Sequence, residues 1–445
     1  MQRFSKVIFC ALKGQGNQLN LFSKSRLPYS SFLCYVPQKN FSEARFKELI
    51  NEAQEKNKSG RHKEALSDFQ EALELCQSLY GQQNPNTSKV YSMIGATLFN
   101  CGNYPEAIKN AIRALQTSNN DPKIAIGVYN LIANCYARQG DFVEAHKNLE
   151  KKLDIIRKSE KVDEFELAVT YYDLANLFSL QDKIYDAIQY MKRAIALLEQ
   201  DINVGRNRVK LSEIYTDLSA CHKALNEYEE ATKCLIRVHD LLINLKGEEQ
   251  AFVNALENLA SIYHEQGIFE RAVSYNNQAI SQLMNNSNIA ENVSRLCAIY
   301  DRLGIDYHML GDFNKAIDSL SKAVELIVKY KGENHPDLIH TYSTLSAIYT
   351  ENDDPKKGID YGVKAVQIAE ENFGKEDIDT AEALCNLGYA YMSGKEPTKA
   401  KESFERAKRI FEINKRTESD TYHRIITDLE EIEKIIKTYV NKAKK

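Results

Sequence analysis

One pattern limits what this chain can fold into more than any single residue does. An alanine-centred block returns nine times, at separations of 38 to 44 residues. The anchors are Ala65, Ala107, Ala145, Ala187, Ala231, Ala272, Ala316, Gly358 and Ala400. Twelve residues before each stands a small residue: Ala53, Gly95, Ala133, Ala175, Ser219, Ala260, Gly304, Ser346 and Gly388. Four residues earlier again lies Tyr or Leu, from Leu49 and Tyr91 through Tyr342 and Leu384. A period this long marks an array of units, each hiding its apolar face only against its neighbours.

The seventh copy shows the content of one unit. It reads Tyr300, Leu303, Gly304 and Tyr307, then Gly311-Asp312-Phe313, then Ala316, Leu320 and Ala323. Positions 300, 303 and 307 share one helical face. Gly311 accepts the left-handed backbone of a helix C-cap at no steric cost and so ends that helix. A second helix is expected from near Asn314, with its face running through Ile317, Leu320 and Val324. Small residues at 304, 316 and 323 let the helices approach, and Tyr300 and Tyr307 fill the space around the contact. The predicted unit is a helical hairpin whose remaining apolar edge requires the next hairpin.

This pattern resembles the tetratricopeptide repeat, whose signature spans about 34 residues. The extra length here falls after the second helix, in the stretches 80–85, 331–337 and 373–377. That long form is similar to the repeats of kinesin light chains. The resemblance covers residues 43–415 and implies an all-α fold. The expected architecture is an α-α superhelix, a tetratricopeptide solenoid of about nine helical hairpins plus a C-terminal capping helix. Local departures are Glu52 and Lys56 in the first copy, His222 in the fifth, and Gly358 with Gly362 in the eighth.

Two segments flank the array. Residues 1–42 hold Arg3, Lys6, Lys13, Lys24, Arg26 and Lys39 and no acid, with Phe4, Ile8 and Leu12 spaced along one helical face. That composition is expected of a mitochondrial transit peptide; a basic tail on a cytoplasmic protein and a secretory signal are the alternatives. Residues 416–445 contain Ile425, Leu429, Ile432, Ile436 and Tyr439 at 4-3-4-3 spacing, expected as a capping helix followed by a basic tail.

Composition narrows the function classes. The net charge of −4 becomes more negative once the basic leader is set aside, which argues against nucleic acid as a partner. No apolar run approaches the roughly 18 residues of a transmembrane helix. The nine cysteines form no CxxC pair and read as reduced, mostly buried thiols. Neither a phosphate-cradling glycine loop nor HExxH nor GxSxG occurs, so no catalytic residue, cofactor or metal is expected, and a small-molecule substrate is not indicated. His264 and His308 occupy equivalent positions in consecutive copies, and both are expected to be surface residues rather than a metal pair.

In tetratricopeptide arrays the first helix of each hairpin lines the concave face, so its outward positions are the binding candidates. Asn130, Asn134, Tyr172 and Asn176 lie there in copies 3 and 4, and Asn258 and Asn386 add amides in copies 6 and 9. A row of amides offers donors and acceptors to the backbone of an extended peptide. Glu213, Asp217, Glu257, Glu265 and Asp301 make the middle of this face acidic, which favours a basic peptide segment. The Lys/Asn/Arg clamp of chaperone-binding arrays is incomplete: Ile50, Gln54, Ser92 and Ala96 stand at its positions, and Arg302 stands alone. These readings imply a non-catalytic scaffold that binds other proteins, as an organellar assembly factor or an accessory subunit of a large complex. A cargo adaptor of the kinesin-light-chain type, or a co-chaperone, is the alternative.

Overall fold

The computed structural model describes residues 35–285 and 289–443. The targeting-segment reading for residues 1–34 therefore lies outside the described residues. Every regular element is helical: nineteen α-helices and one short 3-10 turn, with no strand among the described residues. Two compact units divide the chain, Met1–Glu160 and Lys161–Lys445.

The first unit contains three hairpins: α1 (Tyr35–Lys58) with α2 (His62–Tyr80), α3 (Pro85–Asn100) with α4 (Tyr104–Thr117), and α5 (Pro122–Arg138) with α6 (Phe142–Lys158). The boundary at 42/43 falls inside α1. The second unit opens with α7 (Glu164–Ser179) and α8 (Ile184–Leu198), then α9 (Gly205–Ala224) and α10 (Tyr228–Leu242), then α11 (Glu249–Glu265) and α12 (Phe269–Asn285). It continues with α13 (Ile289–Met309) and α14 (Phe313–Lys331), α15 (Asp337–Glu351) and α16 (Pro355–Asn372), and α17 (Ile378–Ser393) and α18 (Pro397–Ile413). A single helix, α19 (Asp420–Ala443), closes it. Within each unit a second helix packs on its own first helix and on the first helix of the next hairpin.

The turn inside each hairpin obeys one backbone rule. Gly60, Gly102, Gly140, Gly267 and Gly311 have positive φ, and Asp182, Asn226, Asp353 and Lys395 adopt the same conformation at the equivalent positions. The next residue often caps the second helix: the Asp312 carboxylate accepts from the backbone N–H of Lys315 at 3.2 Å, and Asp141 does so from Glu144 at 3.0 Å. Lys395, at φ 59°, is a poor occupant of this turn. Lys395→Gly is expected to raise stability by up to about 1 kcal/mol, read as a later midpoint in urea unfolding.

The small residue of the first helix is required by contact. At Gly304 an added Cβ would stand 2.6 Å from Cγ of Leu320, so the leucine of the second helix occupies the space that a side chain would need. Gly304, Ala316, Leu320 and Ala323 are all buried, as the spacing predicts. Facing positions on the two helices of a hairpin form a recurring pair. Phe178–Tyr190, Tyr263–Tyr275 and Tyr349–Tyr361 stack there, with centroids 5.3, 5.6 and 5.5 Å apart. The unusual Lys56 of the first hairpin fills this register with an ion pair instead, its ammonium 2.5 Å from Asp68. His222 is buried and its Nδ1 lies 2.6 Å from Glu227, which replaces the missing aromatic contact with a polar one.

The closing helix matches the expected stripe. Ile425 and Ile432 are buried, and Leu429 and Ile436 pack against the same core as Phe404, Phe411 and Ile410. The Tyr439 side chain lies outside the described residues. Seven cysteines fall in the described residues, all as free thiols, with Cys76, Cys135, Cys234, Cys297 and Cys385 buried. Burial pushes Cys385 up to about 12 and Cys135 up to about 11, leaving both as inert neutral thiols.

Candidate partner-binding face

The outward side of the first helices carries two kinds of polar group, and the structure separates them. Amides come first. Asn134 on α5 and Asn258 on α11 are exposed, and their side chains make no hydrogen bond among the described residues. Asn386 on α17 is half-buried and lines a pocket of about 420 Å³ beside His340, Phe373 and Glu382. Asn130 is drawn into its own hairpin, because its carbonyl accepts from Nζ of Lys152 at 3.3 Å, and Lys152 is only 1% exposed.

Tyr172, Asn176 and Asp217 form a cluster across two consecutive hairpins. The Tyr172 hydroxyl donates to Asp217 Oδ2 at 2.5 Å, with Asn176 beside the same phenol. Burial and the adjacent carboxylate both push the Tyr172 phenol upward, so it stays protonated and keeps donating. The Lys210 ammonium lies 5.4 Å from the Tyr172 ring and pairs with Glu213.

The acidic groups differ from the expectation of an open anionic surface. Glu257 holds Arg295 of the next hairpin at 2.6 Å and also meets Arg302 at 3.7 Å. Glu265 pairs with Lys223 at 2.6 Å. Asp301 accepts from Thr341 at 2.9 and 3.2 Å, and burial pushes its carboxyl up to about 6. Each of these three acids thus meets a base or hydroxyl about one repeat away, because successive first helices lie side by side, whereas Glu213 pairs within its own helix. The three read as ties between hairpins, and Arg302 lies 3.7 Å from Glu257.

The two equivalent histidines also part company. His264 Nδ1 lies 2.6 Å from Asp306 Oδ1, whereas His308 Nε2 lies 2.7 Å from Glu351 on α15. Among the described residues no group of three or more His, Cys, Asp or Glu is placed to hold a metal. Asp306 escaped the sequence reading. It is fully buried, and its second oxygen accepts from Asn276 at 2.9 Å. The signal was an acid two residues after Gly304, where seven of the other eight copies carry an uncharged residue such as Thr97, Cys135, Leu177 or Ile262 and only the first carries an acid, Glu55.

Paired helices at a fixed period, with polar groups of the first helices left outward, define a repeat protein of the helical-hairpin class. The family model of the tetratricopeptide repeat matches residues 53–120, 125–200, 295–361 and 341–413, more than half of the chain. The chain belongs to the tetratricopeptide repeat family, and its long repeats are of the kinesin-light-chain type. Proteins of this family bind other proteins and are generally non-catalytic scaffolds.

Among its relatives is a protein named kinesin light chain-related 2 from Arabidopsis thaliana, 22% identical over 300 residues, covering 65% of this chain and 44% of that protein. The transcriptional activator NprA of Geobacillus stearothermophilus is 21% identical over 204 residues, covering 45% and 46%. The chain spans less than half the length of the curated relatives it matches. Among solved structures, a signal-transduction ATPase with a tetratricopeptide repeat sensor from Pyrococcus horikoshii shares the fold at a TM-score of 0.50. It is 16% identical, covering 80% of this chain and 56% of the other. No helix among the described residues is long and apolar enough to cross a membrane.

Proposed function

We propose that this protein is a scaffold that holds an extended segment of a partner protein along the outward face of its first helices. The observation that carries this reading lies on the second unit: Glu257, Glu265 and Asp301 are engaged with neighbouring hairpins, while the side chains of Asn258 and Asn386 have no hydrogen-bond partner among the described residues. Free amides match the donors and acceptors of a peptide backbone. The basic, acid-free composition of residues 1–42 supports placing the protein in mitochondria, as an assembly factor or accessory subunit. A cytoplasmic cargo adaptor is the second reading, favoured by the similarity to the kinesin light chain-related proteins.

Affinity purification from fractionated cells tests both. Stoichiometric co-purification from the mitochondrial fraction supports the first reading, and recovery with cytosolic motor components supports the second. A scaffold lacking any reproducible partner in either fraction would sink both.

A further inference from the structure

Between α7 and α9 lies a pocket of about 510 Å³ that no sequence pattern announced. One side is apolar, built from Leu180, Ile184 and Met191, and Leu180 is 63% exposed despite its aliphatic side chain. Ala220 and Ala224 leave the opposite wall short, which is why the space remains open. Its polar lining includes the Ser179 hydroxyl and the Cys221 thiol and carries charge of one sign only. Asp182 and Asp217 contribute two carboxylates, Asn176 contributes an amide, and no Lys or Arg lines it.

The Asp217 carboxylate is held in place from behind. Tyr172 engages Oδ2, and Asn176 stands beside the same phenol. The Asp217 carboxylate keeps acceptor capacity, and Asn176 adds an amide, beside the apolar side. A concave apolar site with a few fixed polar groups is the usual form of a recognition pocket. Acceptors and negative charge at its rim select a donor-bearing, cationic neighbour to the group that enters.

We propose that this pocket takes one aliphatic or aromatic side chain of a partner segment in which Lys or Arg lies next to that residue. The inference rests on the scaffold reading above and deepens it by naming the chemistry of the segment. The apolar side chain displaces water from Leu180 and Ile184, and the adjacent cation meets Asp217 and Asp182. Elsewhere on this face Glu257 and Glu265 are already matched by Arg295 and Lys223, so they do not compete for that cation.

The test uses the full chain and fluorescein-labelled dodecapeptides of Gly, Ser and Ala with a central Leu. In one peptide the Leu lies between two Arg, in a second between two Glu, and in a third the Leu of the first is Ala. Anisotropy titrations at low salt are expected to show the Arg peptide binding at least tenfold tighter than the Glu peptide. That margin should shrink as salt screens the rim. Loss of the central Leu is expected to weaken binding at least fivefold. Ala220→Arg, which fills the pocket and adds a positive charge, is expected to weaken the Arg peptide at least tenfold. Asp217→Asn keeps the acceptor for Tyr172 and should remove most of the preference for Arg over Glu.

Equal binding of the Arg and Glu peptides, no binding of any peptide, or unchanged affinity in Ala220→Arg with native circular dichroism would each overturn the pocket. If co-purifying partners persist undiminished with Ala220→Arg, the pocket is overturned while the scaffold reading stands. Absence of partners from the unaltered protein would count against the scaffold reading instead.

Discussion

Asp306→Ala is expected to destabilise the hairpins around it by about 3 kcal/mol, the cost of breaking a buried charged network and leaving its partners unmatched. The carboxylate is fully buried, and both oxygens are used, one by His264 and one by Asn276. Asn276 is itself 1% exposed, and its carbonyl oxygen has no hydrogen-bond partner, so losing the bond from its amide N–H would strand the whole side chain. Burial pushes the Asp306 carboxyl upward, opposed by His264 and Asn276. Removing the carboxylate therefore relieves a desolvation cost, yet it removes the one hydrogen bond that the Asn276 side chain makes among the described residues. Because repeat arrays open locally, the measurement of choice is hydrogen exchange in α11 through α14. Protection unchanged in those helices would contradict the assignment of Asp306 as their shared polar tie.

Asp301→Asn is expected to act in the opposite direction, raising local stability by about 2 kcal/mol at neutral pH. The Asp301 carboxyl is pushed up to about 6 from the ordinary aspartate range, chiefly by burial, with the Thr341 hydrogen bond and His340 opposing and Asp337 reinforcing. A folded-state value above the unfolded one means that the folded chain holds this proton more tightly. Its stabilising effect is fully present below about pH 4 and is lost as pH rises through about 6. Asparagine keeps an oxygen to accept from Thr341, now 2.9 Å away, without the charge. Urea midpoints of the unaltered protein should fall between pH 4 and 7 in the region of α13 and α15, and the variant should show a flatter profile. A variant with the same slope would place the pH dependence elsewhere.

These two aspartates mark where sequence reasoning works and where it stops. The turn of each hairpin was legible because one backbone conformation is required at one register, and Gly, Asn and Asp are the residues that tolerate it. The small residue in the first helix was legible for a similar reason, since Leu320 stands where a Gly304 side chain would go. Lys56 was visible as a departure, and its remedy, Asp68, lies twelve residues on at the facing register. Asp301 was picked out as part of an acidic face, but its buried bond to Thr341 was not, because forty residues separate them. Tyr172 and Asp217, and Glu257 and Arg295, pose the same difficulty at separations of 45 and 38 residues.

The sequence by itself determined the class of this protein. A fixed period, small residues at two registers and a left-handed turn between them dictate paired helices, since no other backbone buries that spacing on one side. Tertiary structure alone decided which polar groups stay available to a partner. Two acids on first helices look alike in sequence, yet the side-by-side placement of successive first helices gives Glu257 an arginine and leaves Asp217 lining an open apolar pocket. That choice depends on distances of a few ångströms between residues about one repeat apart, and a one-dimensional period carries no information at that scale.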